Sequence, residues 1–283
     1  MANSSFQYVR DFETSDPLAP SNWIVVRLDG RGFSKLTTKY SFTKPNDLRG
    51  LALLNAAALQ IVKAFPDVVI AYGQSDEYSF VLHESTTLFD RRAAKLATTF
   101  AATFTAEYCL LWSEHFPDKP LTRPWPSFDG RCVAYPKRYI LRDYLSWRQA
   151  DCHVNNLYNT TFWNLVQQGG MSQTDAEESL KGTLSGEKNE ILYSKFSINY
   201  NNEPAICRKG TVMYRAYKTA PTNGAQLAQL DTRGSLSKTQ LEKAKKRSAK
   251  AEIKVENVDL IGDPFWDARP YILAPSRGDS GDE

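Results

Sequence analysis

Two acidic residues each follow an apolar, β-branched run: Trp23 to Leu28 leads into Asp29-Gly30, and Val68 to Tyr72 leads through Gly73-Gln74-Ser75 into Asp76-Glu77. Such runs read as buried strands, so each would carry its acid to the edge of a sheet. Two carboxylates brought together there repel. A hard divalent cation relieves the repulsion, and Mg²⁺ in particular takes one or two carboxylates while substrate phosphates complete its octahedron. The chemistry suggested is phosphoryl or nucleotidyl transfer. Arg27, Arg31 and Lys35 bracket the first acid, and Gly30 and Gly32 let backbone N–H groups approach an anion closely. Taken singly, Asp-Gly after a strand is also ordinary turn chemistry, and Ser75-Asp76-Glu77 could be a polar hairpin tip. The basic and glycine-rich surroundings favour function.

The elements that would position these acids follow from periodicity. After the strand at 23–28 comes a Thr-, Lys- and Pro-containing loop, then a helix over 47–65 with Asn46 as a plausible cap and Pro66 just past its end. Strands at 68–72 and 78–82 flank a tight connection and read as a hairpin. A long Ala-rich helix from Leu88 to about Phe116 and a short strand from Arg131 to Tyr135 follow. The order β-α-β-β-α-β is the split βαβ, ferredoxin-like pattern of an α+β fold. It sets the first strand beside the hairpin, so Asp29 and Asp76 can meet although 47 positions apart. From Ile140 onward the chain reads as a helix carrying Trp147 to Gln168, a shorter one near Gln173 to Lys181, and an Asn-rich loop over 199–203. The expected division is a catalytic unit over 1–136, a helical region over 137–220 packed upon it, and a basic, partly flexible extension over 221–283.

With 283 residues, 42% hydrophobic and 12% aromatic, the chain can bury a sizeable core. Its 35 basic and 32 acidic residues leave a formal charge of +3, so affinity for nucleic acid must come from local patches. Cys109, Cys132, Cys152 and Cys207 form no CxxC pair, which argues against a zinc ribbon or a disulfide scaffold. No stretch reaches the roughly eighteen apolar residues of a membrane span, and the first residues lack an apolar signal region. No membrane association is expected, and a reducing, cytoplasmic or nuclear location fits best. Lys35 stands at the last glycine position of a dinucleotide fingerprint and no GxxxxGK[ST] occurs, so the Rossmann and P-loop readings lose support.

The segments RLDGRGFSKL, FTKPNDLRGL, AYGQSDEYSFVL, FDGRCVAYP, DYLSWRQADCHVNNLYNTTFW, GTLSGEKNEIL, INYNNEP and RKGTV together resemble the eukaryotic, fungal-like tRNA-histidine guanylyltransferases over roughly residues 1–215. The resemblance implies a polymerase-type palm and the addition of a guanylate to the 5′ end of tRNA-histidine, in the 3′-to-5′ direction. It further implies ATP and GTP as substrates, two Mg²⁺ ions and a homotetramer built as a dimer of dimers.

Carried over position by position, the resemblance makes Asp29, Asp76 and the carbonyl of Gly30 metal ligands. Glu77 stands next to Asp76, where strand alternation turns it to the other face, so it is expected to support the site or to ligate in part. Asp29, Gly30, Arg31, Gly32, Phe33, Ser34, Ser75 and Asp76 match nucleotide-binding segments, although several family members have a bulky polar residue and a His where this chain has Gly32 and Ser34. Lys44 and Asp47 match positions near the incoming nucleotide, and KPND also makes sense as a helix start. Arg92 and Lys95, three apart on one helix face, are expected to bind phosphate, with a solvated face as the alternative. His153, Lys188 and Asn199 are placed near adenylylation and assigned to positioning; a capping or core role is the plainer reading of His153.

Residues 233–254 hold eight Lys or Arg against two Glu. This run is either a solvated face or an electrostatic contact to tRNA, with Lys245, Lys246 and Arg247 as candidates. Two other readings stay open at this point, a palm-type nucleotide cyclase or dinucleotide synthase and a non-catalytic nucleotide- or RNA-binding module. The Asn-rich segments speak against the first, and the intact acid pair against the second.

Overall fold

The computed structural model describes residues 5–216 and 251–274; Lys245, Lys246 and Arg247 lie outside them. Four strands, β1 (Trp23–Gly30), β2 (Val68–Gln74), β3 (Glu77–Leu82) and β4 (Phe128–Tyr135), pair antiparallel in the order β4-β1-β3-β2. This is the ferredoxin-like arrangement. Strand alternation divides the side chains between two faces. Ile24, Val26, Leu28, Phe80 and Leu82 turn toward α2 (Leu48–Ala64) and α3 (Ala93–His115), where Leu53, Ile61, Phe100 and Phe104 close the larger core. Trp23, Val25, Tyr72 and Val81 turn the other way, toward Leu141, Tyr144 and Leu145 of α4 (Arg138–Gln167). The sheet is thus covered on both sides, and the acid-bearing ends of its strands lie between the two layers.

The sheet has six strands, two more than the sequence pattern predicts: β5 (Thr211–Ala216) pairs with β2, and β6 (Glu252–Glu256) pairs with β5. Residues 251–274, read from sequence as part of a basic extension, therefore join the body of the fold. Phe265 and Trp266 of α8 (Pro264–Asp267) pack into the core under α4. β6 alternates charged and apolar residues over only five positions at the end of a strongly basic run, too short a pattern to stand out in sequence.

The first three helices also differ from expectation. The loop after β1 contains a short helix, α1 (Phe33–Lys39), whose Phe33 and Leu36 are buried at i, i+3 spacing; its β-branched threonines disguise it. α2 is capped by Asp47, which accepts from the Arg49 and Thr43 N–H groups, and not by Asn46. α3 begins at Ala93, because Phe89, Asp90 and Arg91 of the preceding turn have φ near +50 to +60°. Arg91 is buried there and donates to the carbonyls of Leu18, Ala19, Asn22, Glu84 and Thr86, holding that turn out of the helix. Beyond α4 come α5 (Gln173–Leu180), capped by Ser172, then α6 (Ser185–Phe196) and α7 (Ala205–Lys209). Sequence reading misses α6, whose buried side chains are Lys188 and Leu192 alone.

Candidate active site

Asp29 and Asp76 meet because of register. β1 and β3 pair so that Asp29 stands opposite Glu77, and the tight reversal before β3 therefore lies at the end of β1. Gly30 N–H donates to the Asp76 carbonyl at 3.0 Å, closing the two segments together. Ser75 turns the corner at φ 49°, and its Oγ donates to Asp76 Oδ1 at 3.1 Å. Burial, and then the charge of Asp29, push the Asp76 carboxyl above the usual carboxylate range. The Ser75 hydroxyl and a backbone N–H favour its ionised form in part, but among the described residues no cation partners it.

Glu77 has a different environment. It shares a sheet face with Asp29, as register partners do, and that face is the one α4 covers. Arg148 Nη1 donates to both Glu77 oxygens at 3.2 and 3.1 Å and stands 3.4 Å from Asp151. Arg27 bonds Glu77 as well and reaches Asp29 Oδ2 at 3.2 Å. Two guanidinium groups thus occupy the Glu77 carboxylate, and Arg27 ties it to Asp29. The charges form a row, Asp151, Arg148, Glu77, Arg27, Asp29.

The donors that fit Mg²⁺ are the Asp29 and Asp76 carboxylates and the Gly30 carbonyl, all hard oxygens. That no cation partners Asp76 among the described residues is the observation that favours a cation there. No group of three His, Cys, Asp or Glu side chains suited to a metal ion occurs among the described residues, so substrate or water oxygens would have to complete an octahedron.

The segment after Asp29 is folded back upon it. A Cβ at Gly30 would come within 2.4 Å of the Phe33 ring, so only glycine lets α1 start this close to the strand. Gly32, at φ 69°, supplies the left-handed residue that turns the chain into α1. Phe33 itself is anchored in the core, 4.9 Å from the Phe128 ring and 5.8 Å from the Tyr108 ring. Arg31 and Ser34 are exposed beside it, with Arg31 Nε donating to Ser127 Oγ at 3.0 Å.

Lys44 and Asp47 belong to the wall facing α4. Lys44 Nζ lies 3.3 Å from Thr37 Oγ1 and 5.6 Å from the centre of the Trp163 ring on α4. Burial works against ionisation of Asp47, but its bonds from Arg49 and the Thr43 N–H outweigh it and hold the carboxyl low. Asn46 Nδ2 donates to Asn156 Oδ1 at 2.8 Å. Asn156 Nδ2 in turn donates to the Tyr200 hydroxyl at 2.9 Å, and that hydroxyl donates to the His153 carbonyl. The Tyr200 ring stands edge-on to the His153 ring at 5.4 Å. A continuous hydrogen-bonded path therefore joins the loop before α2 to His153 and, one residue before Tyr200, to Asn199.

Asn199 caps its own turn by accepting from Asn201 N–H. Burial, with Arg208 nearby, lowers the His153 pKa, favouring its neutral form. Lys188 is buried on α6, with Nζ donating to the Thr183 carbonyl at 2.7 Å and lying 5.9 Å from the Tyr158 ring. His153 thus lies on α4, Lys188 on α6 and Asn199 at the turn that follows α6. Arg92 and Lys95 are exposed at the start of α3, where the Ala93 carbonyl accepts from the Cys132 thiol of β4, itself the register partner of Val26.

Arg148, Asn156 and Tyr200 escape a search for motifs. The signal for Arg148 and Asn156 is a polar side chain on an otherwise buried helical stripe, with Leu141, Tyr144, Leu145, Arg148, Cys152 and Asn156 all on the inner side of α4; Tyr200, in the turn after α6, has no such signal.

Comparison with known proteins bears on this geometry. Residues 6–136 match the family model described as tRNAHis guanylyltransferase, and residues 139–262 match that of the Thg1 C terminal domain. A tRNA(His) guanylyltransferase of Neurospora crassa is 55% identical over 98% of both chains. A probable tRNA(His) guanylyltransferase of Mus musculus is 48% identical over 97% of this chain and 89% of that one. The crystal structure of the Saccharomyces cerevisiae tRNA(His) guanylyltransferase superposes with a TM-score of 0.73 at 49% identity, covering 80% of this chain and 100% of that one. Acids joined at the end of a palm-type antiparallel sheet, in a chain this similar throughout its length, belong to a nucleotidyltransferase of the tRNA(His) guanylyltransferase family.

Proposed function

We propose that this enzyme adds a guanylate to the 5′ end of tRNA(His), using ATP to activate the 5′-phosphate. The observation that carries the reading is the juxtaposition of Asp29 with an Asp76 that has no cationic partner among the described residues, in a chain of this family. In the first step a 5′-phosphate oxygen of the tRNA attacks the α-phosphorus of ATP and pyrophosphate leaves. In the second the 3′-hydroxyl of GTP attacks the activated 5′-phosphorus and AMP leaves. Removal of pyrophosphate from the added nucleotide ends the sequence.

Asp29, Asp76 and the Gly30 carbonyl would hold two Mg²⁺ ions, whose chemistry when bound is to acidify the attacking hydroxyl and to neutralise charge on the leaving oxygen. The protein's own residues supply orientation. Arg27 and Glu77 fix the Asp29 carboxylate. The turn at Gly30 to Ser34, with Arg31 and Ser75 exposed beside it, cradles triphosphate oxygens, and Lys44 supplies a further cation near the nucleotide. His153, Lys188 and Asn199 orient the partners of adenylylation. His153 is disposed to be neutral and suits hydrogen bonding more than charge pairing. A tetramer that shares one tRNA among its subunits, working in the cytoplasm or nucleus, completes the proposal.

The test separates the steps. On tRNA(His) bearing a 5′-monophosphate, guanylate addition requires ATP; on tRNA bearing a 5′-triphosphate it does not, because pyrophosphate already serves as leaving group. His153→Ala slows the first reaction much more than the second. Addition to the monophosphate without ATP contradicts the reaction scheme, and equal slowing of both reactions contradicts the placement of His153.

A further inference from the structure

Trp147 has no assigned task, yet it is an indole more than half exposed, at 56%, on the helix that contacts the acid row. An exposed Trp is unusual, since tryptophan is highly buried on average. This one is also fixed. The Arg148 guanidinium carbon lies over the ring, 3.4 Å from its centre, and Arg148 itself is buried and bound to Glu77 and Asp151. The Tyr144 ring meets the indole edge-on at 6.1 Å, and Tyr135 of β4 backs Tyr144 at 5.3 Å. One face of the indole is thus covered by a guanidinium, one edge rests on tyrosines, and the rest faces solvent.

A flat aromatic surface held rigid while exposed costs a ligand little ordering on binding. The cation behind it raises its suitability for an electron-rich partner ring. The chemistry that fits is a nucleobase, because every base has a π-face and stacks on tryptophan without regard to sequence. A cation stands on the same sheet face: Arg131 is register partner to Arg27, and its exposed side chain faces Asp129 across 3.8 Å, available for a backbone phosphate.

We propose that Trp147 is a stacking platform for an unpaired nucleobase, set at a fixed position from Asp29 through Arg148, Glu77 and Arg27. The inference rests on the proposed function, which supplies two sources of such a base: the adenine of ATP, or an unpaired base near the acceptor end of tRNA.

Equilibrium binding distinguishes them without turnover, because ATP alone has no acceptor and tRNA alone has no donor. Wild type, Trp147→Leu and Trp147→Phe are titrated separately with ATP and with 5′-monophosphorylated tRNA(His). Trp147→Leu should weaken one ligand by about five- to a hundredfold, the range that loss of one base stack produces, and leave the other within about twofold. Trp147→Phe should restore most of the loss. Leu110→Ala, which trims an even more exposed apolar side chain on α3, should change neither. A loss for ATP identifies adenine, and a loss for tRNA identifies the acceptor region. Unchanged binding of both ligands by Trp147→Leu overturns the platform, as does a fall in the mass of the assembly in place of a binding defect. If wild type binds neither ligand, it is the function and not the platform that fails.

Discussion

Removing the Arg148 guanidinium is the sharpest test of the charge row that holds Asp29. Arg148 is 4% exposed, and its Nη1 bonds both oxygens of a Glu77 that is itself 7% exposed. Breaking a buried pair by deleting one partner costs about 3–5 kcal/mol, because the other charge is left uncompensated. Two features reduce that figure here. Arg27 still bonds Glu77, and Arg148 Nε is a buried donor without a partner among the described residues, so its removal relieves a penalty of about 1 kcal/mol. Arg148→Met, which keeps the length of the stem, should therefore cost about 2–3 kcal/mol. With a urea m-value of about 3 kcal/mol/M, the unfolding midpoint should fall by about 0.7–1 M, read by circular dichroism. The double variant Arg148→Met with Glu77→Met should recover part of the loss, since both charges then leave together. A shift below about 0.2 M in the single variant would give the pair the value of an exposed one and refute the claim that Glu77 is a buried hub.

Asp47→Ala should lower stability by about 1–2 kcal/mol through loss of the α2 cap, measured by the same denaturation; a loss below about 0.3 kcal/mol would mean that Asp47 does not hold the helix start. Asp76 provides a pH test in the metal-free protein. Its folded pKa is raised by burial and by Asp29, so the folded state binds the proton more tightly, and stability falls as pH rises from the unfolded carboxylate value through the folded one. Asp76→Asn should flatten that fall and raise Tm in EDTA at neutral pH, while Mg²⁺ should stabilise wild type and not the variant; a variant less stable than wild type in EDTA contradicts the reading. Asn156→Leu, which cuts the path from Asn46 to Tyr200, should slow guanylate addition to monophosphorylated tRNA more than to triphosphorylated tRNA, and equal slowing would detach that path from adenylylation.

Much of the palm was legible because β1, β2 and β3 are mostly buried on both faces and the hairpin is tight. The meeting of Asp29 and Asp76 followed from topology before any coordinates. What escaped had weak periodic signals: α1, built around two buried residues; α6, with one buried leucine; and β6, a charged edge strand. The cap of α2 was misassigned between neighbours, since Asn46 and Asp47 are both good caps and only the contact with Asn156, 110 positions away, decides which one turns inward. The partners of Glu77 were illegible for the same reason. Strand alternation set Glu77 apart from Asp76 in sequence, but that two arginines would meet its carboxylate depends on how α4 crosses the sheet. All four cysteines are free thiols, in keeping with their spacing.

The central claim, that Asp29 and Asp76 together drive transfer of a guanylate to tRNA, is tested most directly by single-turnover incorporation of labelled GTP into 5′-monophosphorylated tRNA(His) with ATP and Mg²⁺. Wild type should yield a labelled product one nucleotide longer at its 5′ end, while Asp29→Ala and Asp76→Ala, folded and still able to bind tRNA, should each fall by at least about a thousandfold. Wild type that transfers no label, or either variant working within about tenfold of it, would contradict the account.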